Sequence, residues 1–374
     1  MQKRTHAIKA TSSIDSGWHH ARKLVLRYGW NTTAYQILNS NISRWFSGDG
    51  TAVIGYVVTR RYRVVAGAPV CAPEQVNKVV CAFEADAWQA GQRVCYLNAD
   101  EYLRVILAAR RPVAHLLLGA EPVWHPQQWI TRVSSKASLR AQITRARNKH
   151  VLVMPWTADQ ATNHPDLRRC LQSWLQTRGL PPIQFPFASD TLMNLTDRKV
   201  IVATHGGKTV GFLIAAPVPA RQGWIIEQII RSPTAPNGTA ELLLDAVMHD
   251  LVQSGTTYVT LGPSLLSTRS TLPHTPTPRW TRMLLAGIRV YGRRFCNFDG
   301  MDAFKAKFLP ERWEPLYLVT NEHRLSLSAM LAVIAACSGN TPMHFLRHAL
   351  SRAYALEFQR RRRCARHGLL TPIT

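Results

Sequence analysis

Residues 224–267, WIIEQIIRSPTAPNGTAELLLDAVMHDLVQSGTTYVTLGPSLLS, restrict the architecture of this chain more than any other stretch. Ile225, Ile226, Ile229 and Ile230 form a short β-branched run that ends in a turn of Pro, Asn and Gly, which predicts a buried strand. Leu243, Val247 and Leu251 then recur at helical spacing, and a second strand ends at Gly262-Pro263. At the helix start, Asn237-Gly238-Thr239 with Glu241 in the first turn suits free N–H groups and a dipole that favours negative charge. An anionic ligand could sit against this turn. An ordinary strand–helix–strand packing unit would look the same.

At 374 residues the chain exceeds one typical core, so two domains are expected. Lys and Arg total 46 against 22 acids, a formal net charge of +24. Solubility needs far less, and the excess implies a partner rich in phosphates: nucleic acid, an anionic membrane surface, or both. Seven cysteines without a C-x-x-C pair fit reduced thiols in a cytosol rather than a disulfide framework or a zinc site. The basic start, MQKRTHAIKATSSIDSGWHH, develops no apolar signal-peptide core. The apolar run at 329–337 is too short to span a bilayer. The expected location is cytoplasmic, or peripheral on the inner face of the cytoplasmic membrane.

In chain order, a helix is expected over 15–29, a hairpin from strands 52–59 and 62–70, a helix over 73–89, a strand at 93–98 and a helix over 100–110. Residues 119–135 read as a connection into a helix whose Lys136, Arg140, Arg147 and Lys149 form a basic face. Such a face is usually just solvated, but it could hold RNA or lipid phosphates. From about residue 161 the order repeats: a helix at 164–179, strands at 199–204 and 209–217 around the turn His205-Gly206-Gly207-Lys208, then the strand, helix and strand described first. The order points to a duplicated α/β domain. The division is residues 1–160, 161–320, and a helical basic tail over 321–374.

The second half resembles the C-terminal domain of the phosphatidylglycerol lysyltransferases. The resemblance rests on residues 231–238 (RSPTAPNG), 258–262 (YVTLG) and 295–319 (FCNFDGMDAFKAKFLPERWEPLYLV). In the first half Gly55-Tyr56, Gly67-Ala68-Pro69-Val70, Gly119-Ala120-Glu121, Leu139-Arg140 and 145–148 (RARN) resemble that family's landmarks in the same order. The resemblance implies two tandem GNAT-like acyltransferase domains with mixed sheets and a tunnel between them. It implies transfer of an aminoacyl group from aminoacyl-tRNA to a hydroxyl of phosphatidylglycerol. Both implied substrates are phosphodiesters, which agrees with the charge balance.

An aminoacyl ester is already activated, so the protein must align hydroxyl and carbonyl and stabilise the oxyanion; no metal or cofactor is required. Arg231 is the candidate to hold a phosphate or the developing charge in the fork of its guanidinium. Lys305 and Lys307 in Phe304-Lys305-Ala306-Lys307-Phe308 could add positive charge, or be solvated lysines. Glu227 is the candidate acid, to bind the α-ammonium or accept the hydroxyl proton. The family pattern has Asp three residues before the Arg, where this chain has Gln228. Either a bulge displaces Glu227, or the amino-acid pocket differs from a lysine pocket. Asn237, Gly238, Gly262, Glu121 and Arg140 complete the candidate substrate-binding set. The pairs His19/His20 and His344/His348 give no convincing metal set.

In the tail, Met343, Leu346, Leu350, Tyr354 and Phe358 mark an apolar stripe beside Arg347, Arg352 and the run 360–363. Such a helix could lie on an anionic leaflet or dock on its own domain. Two further readings stay open: a GNAT-type transferase using acyl-CoA, and a non-catalytic RNA- or membrane-binding module. Against the first, prolines occupy the 231–238 loop where free amides would cradle a pyrophosphate.

Overall fold

The computed structural model describes residues 16–177, 185–186, 191–270 and 298–339. The expected tail helix beyond residue 340 lies outside them. Twelve strands form one sheet, in the order β1-β2-β3-β4-β12-β5-β10-β9-β8-β7-β6, with β11 also on β5.

The first half opens with helix α1 over 16–28 and the antiparallel strands β1 (Ser43–Phe46), β2 (Val53–Thr59) and β3 (Tyr62–Ala66). Helix α2 (Val76–Gln89) crosses over to β4 (Arg93–Ala99), parallel to β3. Helix α3 (Glu101–Arg110) follows, its first turn capped by the Asp100 carboxylate, which accepts from Leu103 N at 3.0 Å. Strand β5 (Ala114–Trp124) ends this half, and α4 (Trp129–Ser135) and α5 (Ala137–Asn148) lead out of it.

The second half repeats the scheme. Strands β6 (Leu152–Trp156), β7 (Lys199–His205), β8 (Lys208–Val218) and β9 (Gly223–Arg231) form an antiparallel meander. The short α6 (Ala158–Ala161) and α7 (Pro165–Gln176) follow β6. The β7–β8 turn has Gly206 and Gly207 at φ 56° and 73°, the left-handed pair a two-residue hairpin demands. Helix α8 (Thr239–Gln253) crosses to β10 (Tyr258–Thr260), parallel to β9. Then come β11 (Ser264–Leu265), α9 (Phe298–Ala306), β12 (Arg312–Thr320) and α10 (Leu327–Cys337).

The last long strands of the two halves are exchanged. β12 lies between β4 and β5, and β5 pairs with β10, so each half completes the other's sheet. Strand β6, numbered before the division at 161, pairs with β7, while β12, numbered before 320, sits among the first half's strands. The segment over 119–135, expected as a connection, begins in the central strand β5. Pro is rare inside a central strand. Pro122 nevertheless lies in register opposite Trp313, and on its other edge no pairing forms between Val123 and Ala120, so the N–H it lacks falls where the ladder is already interrupted.

Helices cover both faces. One core joins α1 (Ala21, Val25) and α10 (Ala329, Ala332, Ala336) to strands of both halves, including Ala216 and Ile225. The apolar run at 329–337 is thus a packed core helix, and no helix among the described residues is long and apolar enough to cross a membrane. In the second half α5 and α8 pack on one face, with Leu243, Val247 and Leu251 each fully buried. Each such side chain contributes roughly 1.5–3 kcal/mol.

Candidate active site at the seam between the halves

The chemistry-bearing groups converge where β5 meets β10 and β11. Thr260 stands opposite Val123 and Ser264 opposite Ala120. Three residues, Leu261, Gly262 and Pro263, therefore face only Glu121 and Pro122, and the extra residue bulges out of the ladder. Gly262 sits at φ 69°, which a side chain resists. Its N–H donates to Thr260 Oγ1 at 3.0 Å. The bulge turns the carbonyls of Gly262 and Pro263 towards α9, where Lys305 Nζ donates to them at 2.9 and 2.7 Å.

The neighbours of Lys305 fix its position. Phe304 packs edge-on against Phe308, ring centroids 5.2 Å apart, and Phe308 is fully buried. One turn earlier Asp302 accepts from Ser264 Oγ at 3.1 Å, tying α9 to β11. Burial lowers the Lys305 ammonium to a pKa of about 8, an effect that the nearby Glu121 and Asp302 charges oppose. An ammonium has three N–H groups, so one remains for a substrate oxygen.

Glu121 lies across the seam at 2% exposure. Its carboxylate accepts from Thr32 Oγ1 at 3.1 Å and from the Tyr258 hydroxyl at 3.4 Å. Burial raises its pKa to about 7, so near neutrality it is equally ready to take or give a proton. Tyr258 is also a wall of a cavity of about 630 Å³ whose lining includes Asp100, Tyr102, His125, Arg221 and Glu314. Arg221 holds this wall together: it donates to Glu314 at 2.7 Å and Asp100 at 3.3 Å, and stacks 4.7 Å from the Tyr258 ring centroid. Asp100 is raised to about 6, chiefly by burial. Among the described residues no group of His, Cys, Asp and Glu converges as a metal site.

Of the residues expected from sequence, the seam brings together Lys305, Gly262 and Glu121. Glu227 stands nearby in another role. Gln228 pairs with Ile214 and Ile226 with Ala215, so Glu227 is the bulged residue of β9. The parity of the strand flips there, and Ile226 and Ile229, three apart, pack on the same core. The Glu227 side chain enters a buried ion pair with Arg198 at 2.6 Å and accepts from Gln36 Nε2 at 2.5 Å. Both of its oxygens are thus engaged by the fold. Arg231 is exposed at the far end of β9, six residues beyond the last pairing of that strand with β10, about 20 Å at the rise of a strand.

Lys307 faces away from Lys305's partners, donating to Glu241 at 2.5 Å with its ammonium 4.2 Å from the Phe304 ring centroid. Asn237 is exposed, and a Cβ on Gly238 would lie 2.0 Å from Gln142 O of α5. Helix α5 therefore closes the start of α8, where an anion was expected to have access. Arg140 is exposed on α5 and donates to Ser134 O. The sequence reading missed Thr32, Arg221, Asp100 and Glu314, which no motif carries and only the strand exchange assembles. Tyr258 lay inside the YVTLG segment, but nothing in that segment said its hydroxyl would meet Glu121.

Residues 22–320 match the family model described as phosphatidylglycerol lysyltransferase, C-terminal. A lysylphosphatidylglycerol biosynthesis bifunctional protein LysX from Rhodococcus opacus is 24% identical over 322 residues, which cover 81% of this chain and 27% of that protein. A LysX from a Mycobacterium species is 23% identical over 332 residues. The chain thus spans about a quarter of the length of these relatives. Among solved structures, the C-terminal domain of a putative lysylphosphatidylglycerol synthetase from Agrobacterium fabrum superposes with a TM-score of 0.73 at 21% identity, covering 87% of this chain and 98% of that one. L-PGS from Bacillus licheniformis gives a TM-score of 0.71 at 19% identity, covering 85% and 95%. The two like-ordered α/β halves follow the fold of those two structures, as the resemblance implied. The chain belongs to the phosphatidylglycerol lysyltransferase C-terminal family, a family of transferases.

Proposed function

We propose that this protein moves an aminoacyl group from aminoacyl-tRNA to a hydroxyl of phosphatidylglycerol or a related lipid, with the chemistry at the Lys305–Glu121 seam. The observation that carries the reading is Lys305: a half-buried cation pinned by two backbone carbonyls, with one N–H to spare, near a carboxyl that titrates around neutrality. Such a group suits an oxygen that gains negative charge during acyl transfer. In this scheme the lipid hydroxyl oxygen attacks the ester carbonyl carbon while its proton passes to Glu121. The oxyanion forms against the Lys305 ammonium. The bond to the ribose oxygen then breaks, and Glu121 returns the proton to that oxygen. Glu227 has no free oxygen for the α-ammonium, and Asp100 and Glu314 beside Tyr258 would bind it by exchanging their hydrogen bonds with Arg221.

The acyl-CoA reading finds less support. A pyrophosphate would need the start of α8, which α5 covers, and the first-turn Glu241 there is already neutralised by Lys307. The test is a reconstituted reaction of tRNA charged with labelled amino acid and phosphatidylglycerol vesicles. Label should move into the lipid fraction, and RNase pretreatment should abolish the transfer. Product formed from acyl-CoA without tRNA would replace this reading with the other.

A further inference from the structure

The second half gathers positive charge at one end of its sheet. Strand β6 begins there, β7 ends there, β8 begins there, and β9 ends there, since Leu152 pairs with Thr204, His205 with Lys208, and Gly211 with Arg231. The α5 C-terminus runs into the same end, because only residues 149–151 separate it from β6. Arg145, Lys149, His150, His205, Lys208 and Arg231 are all exposed, and none forms an ion pair with a described residue. No Asp or Glu occurs between Glu121 and Asp159, between Asp197 and Glu227, or between Glu227 and Glu241, so the segments that build this rim hold no acid. The acids nearest along α8 are already matched: Glu241 with Lys307 and Asp245 with Arg147.

We propose that this rim is the docking surface for the phosphodiester backbone of an RNA. Four adjacent strand ends span three inter-strand intervals, about 15 Å at ~4.8 Å each. That width is enough to face a short run of consecutive phosphates on one strand. The cations are held on strand ends and a tight Gly-Gly turn, which gives them fixed spacing. Among the described residues the large exposed apolar side chains near the rim are Leu152 and, two residues further along β6, Met154, and neither is aromatic, so the surface has few of the anchors with which a peripheral face enters a bilayer. His150 and His205 add rings on which an unpaired base can stack. From the rim, the stretch of β9 beyond Ile225, no longer paired with β10, leads back towards the seam where Lys305 sits. The proposal rests on the reading of RNA as the aminoacyl carrier, but its test needs no turnover.

The experiment measures binding of labelled, uncharged tRNA from 50 to 300 mM salt, alongside sedimentation with phosphatidylglycerol–phosphatidylcholine vesicles. The variant is K149A/K208A with Arg145→Ala; it spares Arg231, and all three positions are exposed. The expected result is weaker tRNA binding by tenfold or more at low salt. The log–log salt slope should flatten by about 0.7–0.9 for each phosphate that the variant no longer neutralises. Vesicle binding and melting temperature should be unchanged. An unchanged tRNA affinity and slope would overturn the proposal, and so would loss of vesicle binding with tRNA binding intact, which would make the rim a membrane face. If tRNA binds as expected but no aminoacyl transfer can be reconstituted, the proposed function fails and the docking surface stands.

Discussion

Arg198 Nε lies 2.6 Å from Glu227 Oε2, and both side chains are almost wholly buried, at 2% and 3% exposure. Around them Arg198 stacks 4.7 Å from the Tyr35 ring centroid, the Tyr35 hydroxyl reaches Asp197 at 3.0 Å, and Asp197 accepts two hydrogen bonds from Arg22. This chain of charges ties α1 and the residues after it to β9, across the boundary between the halves. An acid that looks catalytic in sequence is therefore part of the frame.

Breaking that pair should be expensive. Glu227→Ala leaves the Arg198 guanidinium buried without its counter-charge, a loss of about 3–5 kcal/mol by analogy with other buried pairs. Replacing both partners with apolar residues, Arg198→Met with Glu227→Leu, should recover most of the stability. Urea unfolding of the three proteins measures this. A Glu227→Ala protein that unfolds at the wild-type midpoint but has lost transfer activity would return Glu227 to a catalytic role.

Glu227 also marks how far the residues alone could be read. The strand, the helix and the two hairpins were legible because each is local: β-branched runs, 3.6-residue spacing and a Gly-Gly turn carry their own signals. The bulge at Glu227 was legible only as one of two options, since a one-residue slip leaves no trace in composition. Strand β5 was hidden by Pro122 and by being paired on both sides, which erases alternation. The strand exchange was out of reach for a different reason: β5 and β12 are separated by almost 190 positions, and nothing local says which half a strand will complete. Lys305 was picked out by its place in a motif, whereas Arg221, Asp100 and Glu314 meet only through that exchange.

Two glycines should respond differently to the same methyl group. At Gly238 a Cβ would stand 2.0 Å from the Gln142 carbonyl oxygen, a backbone atom of α5 that cannot retreat without separating two packed helices. At Gly262 the nearest atom is Ile225 Cδ1 at 3.3 Å, the tip of a side chain, although both glycines have positive φ. Gly238→Ala should therefore cost well over ~1 kcal/mol of stability, and Gly262→Ala closer to ~1 kcal/mol. Activity should rank the other way per unit of stability lost, because Gly262 presents its carbonyl to Lys305. Thermal melts beside transfer rates at a temperature where both variants are folded would show the crossing. Equal activity loss per degree of melting shift in both would remove the bulge from the site.

The titration of the seam gives the sharpest test. Glu121 is raised from its ordinary 4.5 to about 7 and Lys305 lowered from 10.5 to about 8. A mechanism that needs Glu121 ionised and Lys305 charged works only between those values, so kcat/KM should follow a narrow bell centred near pH 7.5. Lys305→Arg, which keeps its charge, should lose the alkaline limb. Thr32→Val removes a hydrogen bond that favours the Glu121 carboxylate and should move the acid limb upward. The same shifts act on folding with signs that follow from proton linkage. Between pH 4.5 and 7 the folded state keeps a proton on Glu121 that the unfolded chain has lost, so this group's contribution to stability falls as pH rises. Between pH 8 and 10.5 the folded state has lost the Lys305 proton that the unfolded chain keeps, so that contribution rises with pH. Glu121→Gln should remove the first slope and Lys305→Met the second, read as melting temperature against pH. A flat activity profile from pH 6 to 9, with both slopes present in the melts, would leave the pair titrating but outside the reaction.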